Sequence, residues 1–328
     1  MESAGIPLVA LIGALAAGTA GAQAPLELAA TIEMSNVKGR IDHFAVDVKG
    51  QRLFVAALGN DTVEVLDVAG NRHLRSLKGF KEPQGLVYLP QANRLYVANG
   101  EGGRLEVLDG TSFSVLKRIA ELDDADNVRY DAGAATVIVG YGKGALRLFK
   151  ADTVEPAGEI RLAGHPESFQ LESVGTRAFV NVPTAEHVAV VDRAKRQVIA
   201  TWPVAGAARN FPMSLDEKDK RLFVGARSPA VMLVYDIDSG RVVSTVRIGG
   251  DTDDLFFDGE RGRVYVVCGE GRVDVFRGES ADRYAHEASI KTAPRARTGL
   301  FVPELGKLFV AAPAAGSSPA RVLVYQVK

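Results

Sequence analysis

One phrase recurs seven times along the chain: QRLFVAA, NRLYVAN, ATVIVGY, TRAFVNV, KRLFVGA, GRVYVVC and GKLFVAA. Taking its third residue as a marker gives Leu53, Leu95, Val137, Ala178, Leu222, Val264 and Leu308, spaced 42, 42, 41, 44, 42 and 44 residues apart. A period in the low forties, written in short apolar strands separated by turns, is the mark of a β-propeller blade. Such a unit is a small sheet with two apolar faces, and it buries them only by stacking on copies of itself. Within the first unit, alternation and turn chemistry give four strands, HFAVD, RLFVAAL, TVEVLDV and RHLRSL. Seven markers predict seven such blades.

The last unit, from Thr298 to Lys328, has room for only three strands, while LELAATIEM (26–34) stands before the first unit without a partner. If that segment completes the seventh blade, the ring closes and no edge is left unpaired. The stretch EHVAVVDRAKRQVIATW has a helical look, but in register it is a third and a fourth strand joined by a turn. The expectation is an all-β chain, with residues 26–328 forming one seven-bladed domain. Hydrophobic residues make up 47% of the 328, enough for a core of that size.

The repeated wording RLFVA…VEVLD resembles the YVTN-type propeller repeat, and residues 26–328 resemble the YncE-like exported propellers. The resemblance implies a periplasmic or surface-associated ring, and it is specific for the fold rather than for any chemistry. The N-terminal run IPLVALIGALAAGTAGAQA reads independently as a secretory leader over 1–22, with cleavage after Ala20, Ala22 or Ala24. Its first residues carry Glu2 and no Lys or Arg. A periplasmic or secreted location is expected, with no membrane span after the leader is removed, and a monomer. The 39 Lys+Arg nearly cancel the 40 Asp+Glu, so no basic field invites nucleic acid. A single cysteine, Cys268, excludes an internal disulfide, a Cys-rich zinc site and covalent haem attachment.

Columns read against the markers separate two kinds of acid. Asp47, Asp131, Asp216 and Asp258 stand six residues before a marker, and Asp67, Asp109, Asp192 and Asp236 fourteen after one. Both positions end a strand and precede a turn, where a carboxylate accepts local backbone hydrogen bonds. Eleven residues before the markers stand Asp42, Gln84, Asp126, Glu167, Phe211, Asp253 and Arg297; the next column is His43, Gly85, Asn127, Ser168, Pro212, Asp254 and Thr298. The first strand of each propeller blade is innermost, so these columns ring one mouth of the central channel. Loops should add Asp123, Asp124, Asp251, His165, Asn210, Arg40, Arg209 and Arg295 there, with Asn60, Asn99, Tyr141, Asn181 and Arg227 from the second strands.

Three uses of that mouth stay open. Arg40, Arg209, Arg295 and Arg297 could pair with the acids and make an ion-paired rim. Asp42, Asp126, Glu167 and Asp253 could hold a metal, since clustered carboxylates raise one another's pKa until a cation relieves them. Ca²⁺ or Mg²⁺ would suit an all-oxygen set, and His43 or His165 would be needed to draw a transition metal. A polar small molecule or a protein could instead sit on Asp42, His43, Gln84, Asp126, Asn127, His165, Glu167, Asn210, Asp253, Asp254 and Arg297. His43 beside Asp42 has the setting of a general base or of a packed imidazole; with Asp253 it is the candidate for catalysis.

The glycine-rich GYGKGA and NGEGGR join strand to strand, not strand to helix, and are turns rather than phosphate loops. No nucleophile elbow is present. The leading expectation is a non-catalytic binding module acting through its polar mouth. The alternative is a metal-dependent hydrolase or lyase resembling propeller lactonases and streptogramin lyases, although the lactonases have six blades. A subunit of a periplasmic oxidoreductase ranks last, because the chain has no haem motif and no copper-type His cluster.

Overall fold

The computed structural model describes Met1 and residues 23–328. The expected leader, with its cleavage points after Ala20 and Ala22, lies outside the described residues. Seven four-stranded antiparallel sheets follow one another along the chain. They cover 44–78, 83–119, 128–161, 169–203, 208–247, 252–291 and 299–327, and are numbered blades 1 to 7 in that order. Blade 1 consists of Phe44–Asp47, Arg52–Ala57, Thr62–Asp67 and Arg72–Lys78. The first strands of blades 1, 2 and 3 and those of blades 4, 5, 6 and 7 pack on their neighbours around the axis, and blade 7 meets blade 1 there.

Blade 7 supplies only three strands from the C-terminal end of the chain; its fourth is Leu26–Met34, antiparallel to Ala320–Val327 in a register running from Leu26 opposite Val327 to Met34 opposite Ala320. Leu26, Ile32 and Met34 are buried by that pairing. The ring closes as the sequence predicts. The stretch with a helical look forms the strands His187–Asp192 and Gln197–Pro203. Among the described residues the helical segments are three short 3₁₀ turns, Leu58–Asn60, Pro183–Ala185 and Pro303–Leu305. No helix there is long and apolar enough to cross a membrane.

The core is divided into seven clusters, each shared by two neighbouring blades. In blade 1, Leu53, Val55 and Ala57 pack toward Phe309 and Ala311 of blade 7, while Phe54 and Ala56 pack toward Leu95 and Val97 of blade 2. Alternate side chains of a strand point to opposite faces, and here both faces are covered. That is why the repeated phrase is an unbroken apolar run instead of an apolar–polar alternation. All eight turn aspartates do what their spacing implies. Asp47 accepts from the Gly50 N–H at 2.9 Å, Asp131 from Ala134 at 3.2 Å, Asp216 from Lys218 at 3.1 Å and Asp258 from Glu260 at 3.1 Å. Asp67, Asp109, Asp192 and Asp236 accept from Gly70, Ser112, Lys195 and Ser239 at 2.7–3.0 Å.

Candidate functional site

Three blades present an acid at the mouth through the same backbone device. The Asp42 N–H donates to the Ala56 carbonyl at 2.7 Å, that of Asp126 to Gly140 at 2.9 Å and that of Glu167 to Asn181 at 3.0 Å. In return Ala56, Gly140 and Asn181 donate to the carbonyls of His43, Asn127 and Ser168. The residue eleven before each marker is thereby pinned to the second strand of its own blade. In blade 2 the neighbouring column holds Gly85, and a Cβ there would overlap the Asp126 carbonyl oxygen. Glycine lets the inner strand of blade 2 lie directly against the Asp126 backbone, which fixes where that carboxylate stands.

The acids divide into two groups with different surroundings. On one side, Asp253 is clamped by Arg227 and by Arg297, whose Nε lies 2.8 Å away. Arg297 also reaches Asp251 at 3.1 Å. The Arg227 guanidinium is itself held by a hydrogen bond to the Thr252 carbonyl at 2.8 Å and lies 3.8 Å from the centre of the Phe211 ring. Burial nevertheless outweighs both arginines and lifts the Asp253 carboxyl to about 6. Asp42 takes the Arg40 guanidinium at 2.6 Å and lies 3.6 Å from His43. Asp254 accepts from the Gly299 N–H at 2.9 Å and faces the other His43 nitrogen at 3.4 Å. Burial works against a charged His43, but Asp254 and Asp42 override it and bring the imidazole to about 10. Both His43 nitrogens thus face carboxylates, and the ring is engaged as the partner of Asp42 and Asp254. This half of the mouth is the ion-paired rim.

On the other side Asp126, His165 and Glu167 converge, with one ligand-type atom from each within 4.8 Å of the others. Asp126 is 6% exposed. Burial would raise it, but His165, His43 and Arg40 hold it below the ordinary carboxylate value. His165 Nδ1 is 2.7 Å from the Gly142 carbonyl, which fixes that nitrogen as the donor and turns Nε2 toward Asp126, 3.8 Å away. Against its burial, Asp126 and the Gly142 carbonyl raise His165 to about 9. Among the described residues, the Glu167 carboxylate makes neither a hydrogen bond nor an ion pair; burial, with Asp126 and Asp253 nearby, pushes it to about 8. Its nearest helpful charge is His165. A carboxylate in that condition is stabilised by a proton or by a cation.

Of the four acids expected to form one metal set, Asp126 and Glu167 thus stand together with His165, while Asp42 and Asp253 are taken up by arginines. Asn127 joins the halves, its amide 3.3 Å from Asp126 and 3.5 Å from His43. Gln84 lies on the rim beside Asp124, at 3.3 Å. The expectation for Asn210 is corrected: it is fully buried and donates to Asn181 at 2.7 Å and to the His187 carbonyl at 3.1 Å, stitching blade 4 to blade 5 behind the mouth. A bulge between Asn210 and Met213 turns it there, and a bulge is not legible in strand alternation. The acids eleven and ten residues after a marker, Glu64, Glu106 and Asp274, also escaped the sequence reading; they form buried polar networks within blades 1, 2 and 6.

A cavity of about 680 Å³ opens between blades 3 and 4 beside Asp131. Its buried cation, Arg193, is already spent on Asp131 and on the carbonyls of Glu172, Gly175 and Thr176. Size alone therefore does not make it the site, and the convergent titratable groups are at the mouth.

Fold and site together define a seven-bladed β-propeller with a charged channel mouth. No family model and no curated protein sequence matches the chain. Solved structures do. A chain of the mitotic checkpoint complex superposes with a TM-score of 0.78 at 13% identity, covering 100% of this chain and 99% of that one. A chain of the hydrazine synthase of Kuenenia stuttgartiensis superposes with a TM-score of 0.75 at 15% identity, covering 90% and 99%. At such identities the likeness is one of fold.

Proposed function

We propose that this protein is a propeller binding module that holds a divalent cation at its channel mouth through Asp126, His165 and Glu167. The observation that supports this reading is the Glu167 carboxylate, left without a partner beside Asp126 and the imidazole of His165. An imidazole with two carboxylates is a donor set for Zn²⁺, Mn²⁺ or a similar ion rather than for Ca²⁺ or Mg²⁺, so the all-oxygen alternative is the weaker one. The hydrogen bond from His165 Nδ1 to Gly142 is the outer contact that orients a ligating imidazole. The ion, when bound, would supply positive charge and open coordination positions to a ligand arriving at the mouth.

The test is calorimetry on the purified, chelator-stripped protein with Zn²⁺, Mn²⁺, Ca²⁺ and Mg²⁺, together with elemental analysis of the protein as isolated. Tight binding of a transition ion is expected, with affinity lowered about 10–100-fold or more in Glu167→Gln and in His165→Ala. Absence of heat with every ion would remove the reading. A second reading, a metal-dependent hydrolase or lyase, is favoured by the number of ligands: three protein ligands with an open fourth position is the pattern of catalytic zinc. Turnover of an ester or lactone that is lost with Glu167→Gln would promote it. The location proposed for the mature protein is outside the cytoplasm, on the strength of the leader-like N-terminal segment.

A further inference from the structure

Below the mouth the inner strands enclose a cavity of about 350 Å³. Its walls include Val46, Val87, Phe256 and Leu300, and its polar surface includes the side chains of Arg129 and Gln170. These residues fall in one column, or next to it, eight residues before the markers: Ala45, Val87, Arg129, Gln170, Ser214, Phe256 and Leu300. The wall is thus mostly apolar, and its charged groups are Arg129 and the mutually paired His43 and Asp254.

Arg129 is left incompletely satisfied. It donates to the Val128 carbonyl at 2.9 Å and to the Asn127 side-chain oxygen at 3.1 Å. That uses fewer than half of the N–H donors of a guanidinium. Among the described residues no carboxylate lies within the 4.0 Å of an ion pair. The acids nearby are committed elsewhere: Asp254 to Gly299 and His43, Asp253 to Arg227 and Arg297, Asp42 to Arg40. The Phe169 ring, 5.4 Å from the guanidinium carbon, supports the cation without neutralising it. Burial lowers the Arg129 pKa, with Asp254 and Asp126 acting against that, yet an arginine stays charged in a protein.

A half-buried cation beside a largely apolar cavity lacks an anion. We infer that the channel lumen is a binding site for a small organic monocarboxylate, its carboxylate on Arg129 and its hydrocarbon body against Val46, Val87, Phe256 and Leu300. One unpaired guanidinium matches one carboxylate, and its planar fork suits that group. The apolar walls select an acid with a carbon skeleton over an inorganic anion. The site is separate from the Asp126–His165–Glu167 group and needs no metal.

The experiment is calorimetric titration of the full chain with benzoate and hexanoate, in EDTA so that any cation at the mouth is removed. Benzamide and hexanamide serve as uncharged controls. Binding of at least one acid is expected, with the amides at least about tenfold weaker and Arg129→Gln losing at least about tenfold in affinity. Leu300→Trp fills the lumen while leaving the guanidinium in place, and it should abolish binding as well. Should Arg129→Gln fail to fold, that variant carries the test. The inference is overturned if neither acid binds up to about 10 mM, if the amides bind equally well, or if binding survives Leu300→Trp.

Discussion

Asp253 sits 8% exposed between two guanidiniums, and its second oxygen, though 2.8 Å from Arg297 Nε, has no well-aligned hydrogen bond. Taking one partner from a buried ion pair leaves the others desolvated and uncompensated, which costs about 3–5 kcal/mol. Asp253→Ala leaves Arg227 and Arg297 facing each other in the wall of the channel. It should lower stability by about 3 kcal/mol, read as a fall in the urea midpoint with the slope unchanged. A loss below about 1 kcal/mol would show that the clamp is a solvated surface contact instead. The segment DTDDLFFD illustrates what a residue's position tells. Asp258, six before its marker, is a turn acid that also accepts from the Tyr265 hydroxyl at 2.9 Å. Asp253 and Asp254 face the channel, as their columns indicate. That Arg227, from the preceding blade, would be the partner of Asp253 was not readable, because no pattern inside one repeat reports a contact between two repeats.

On the third and fourth strands of blade 1 the fully buried Glu64 accepts from Thr62 at 2.5 Å, Ser76 at 2.5 Å and His73 at 2.7 Å. Burial alone would raise Glu64, but the hydrogen bonds from His73, Ser76 and Thr62 bring it below its ordinary 4.5. The bond to Glu64 in turn raises His73 above its ordinary 6.5. A lowered acid contributes stability above its ordinary pKa and loses it as pH falls through the lowered value. A raised histidine contributes below its ordinary pKa and loses it as pH rises through the raised value. Both contributions are at full strength between about pH 4.5 and 6.5. The urea midpoints of the wild type and Glu64→Gln should differ most in that window and converge on either side. A gap independent of pH would mean that the network is held by packing rather than by charge. Strand positions were legible here to within a residue or two, since turn residues bound each short apolar run. The network was not, because Glu64 sits inside an apolar run and reads as an interruption until its three donors are seen converging on it.

At the scale of the whole molecule no blade owns a core. Each apolar cluster is shared with the next blade, so stability is carried by seven interfaces and depends on the ring being complete. Removing residues 26–34 takes away the last strand of blade 7 and exposes the edge Ala320–Val327. Leu26, Ile32 and Met34 alone are worth about 1.5–3 kcal/mol each, so the deletion should cost about 5 kcal/mol or more. A chain beginning at Ser35 is expected to melt at lower temperature and to self-associate through the open edge. Added LELAATIEM peptide should restore part of the loss by re-forming the strand. A truncated chain as stable as the full one would show that closure contributes nothing.

The sequence by itself determined the blade number, the closing strand, the turn aspartates and the end of the channel where the acids gather. Each of these follows from a local period, and a strand's side-chain alternation and a turn's chemistry are set by near neighbours in the chain. Only the tertiary structure decided which acids are neutralised by arginine and which are left to face His165. It alone placed Asn210 behind the mouth and left Arg129 without an anion. Those outcomes depend on which side chains from different blades come within a few ångströms of one another, and charges that close rearrange one another's pKa in ways that repeat spacing does not encode.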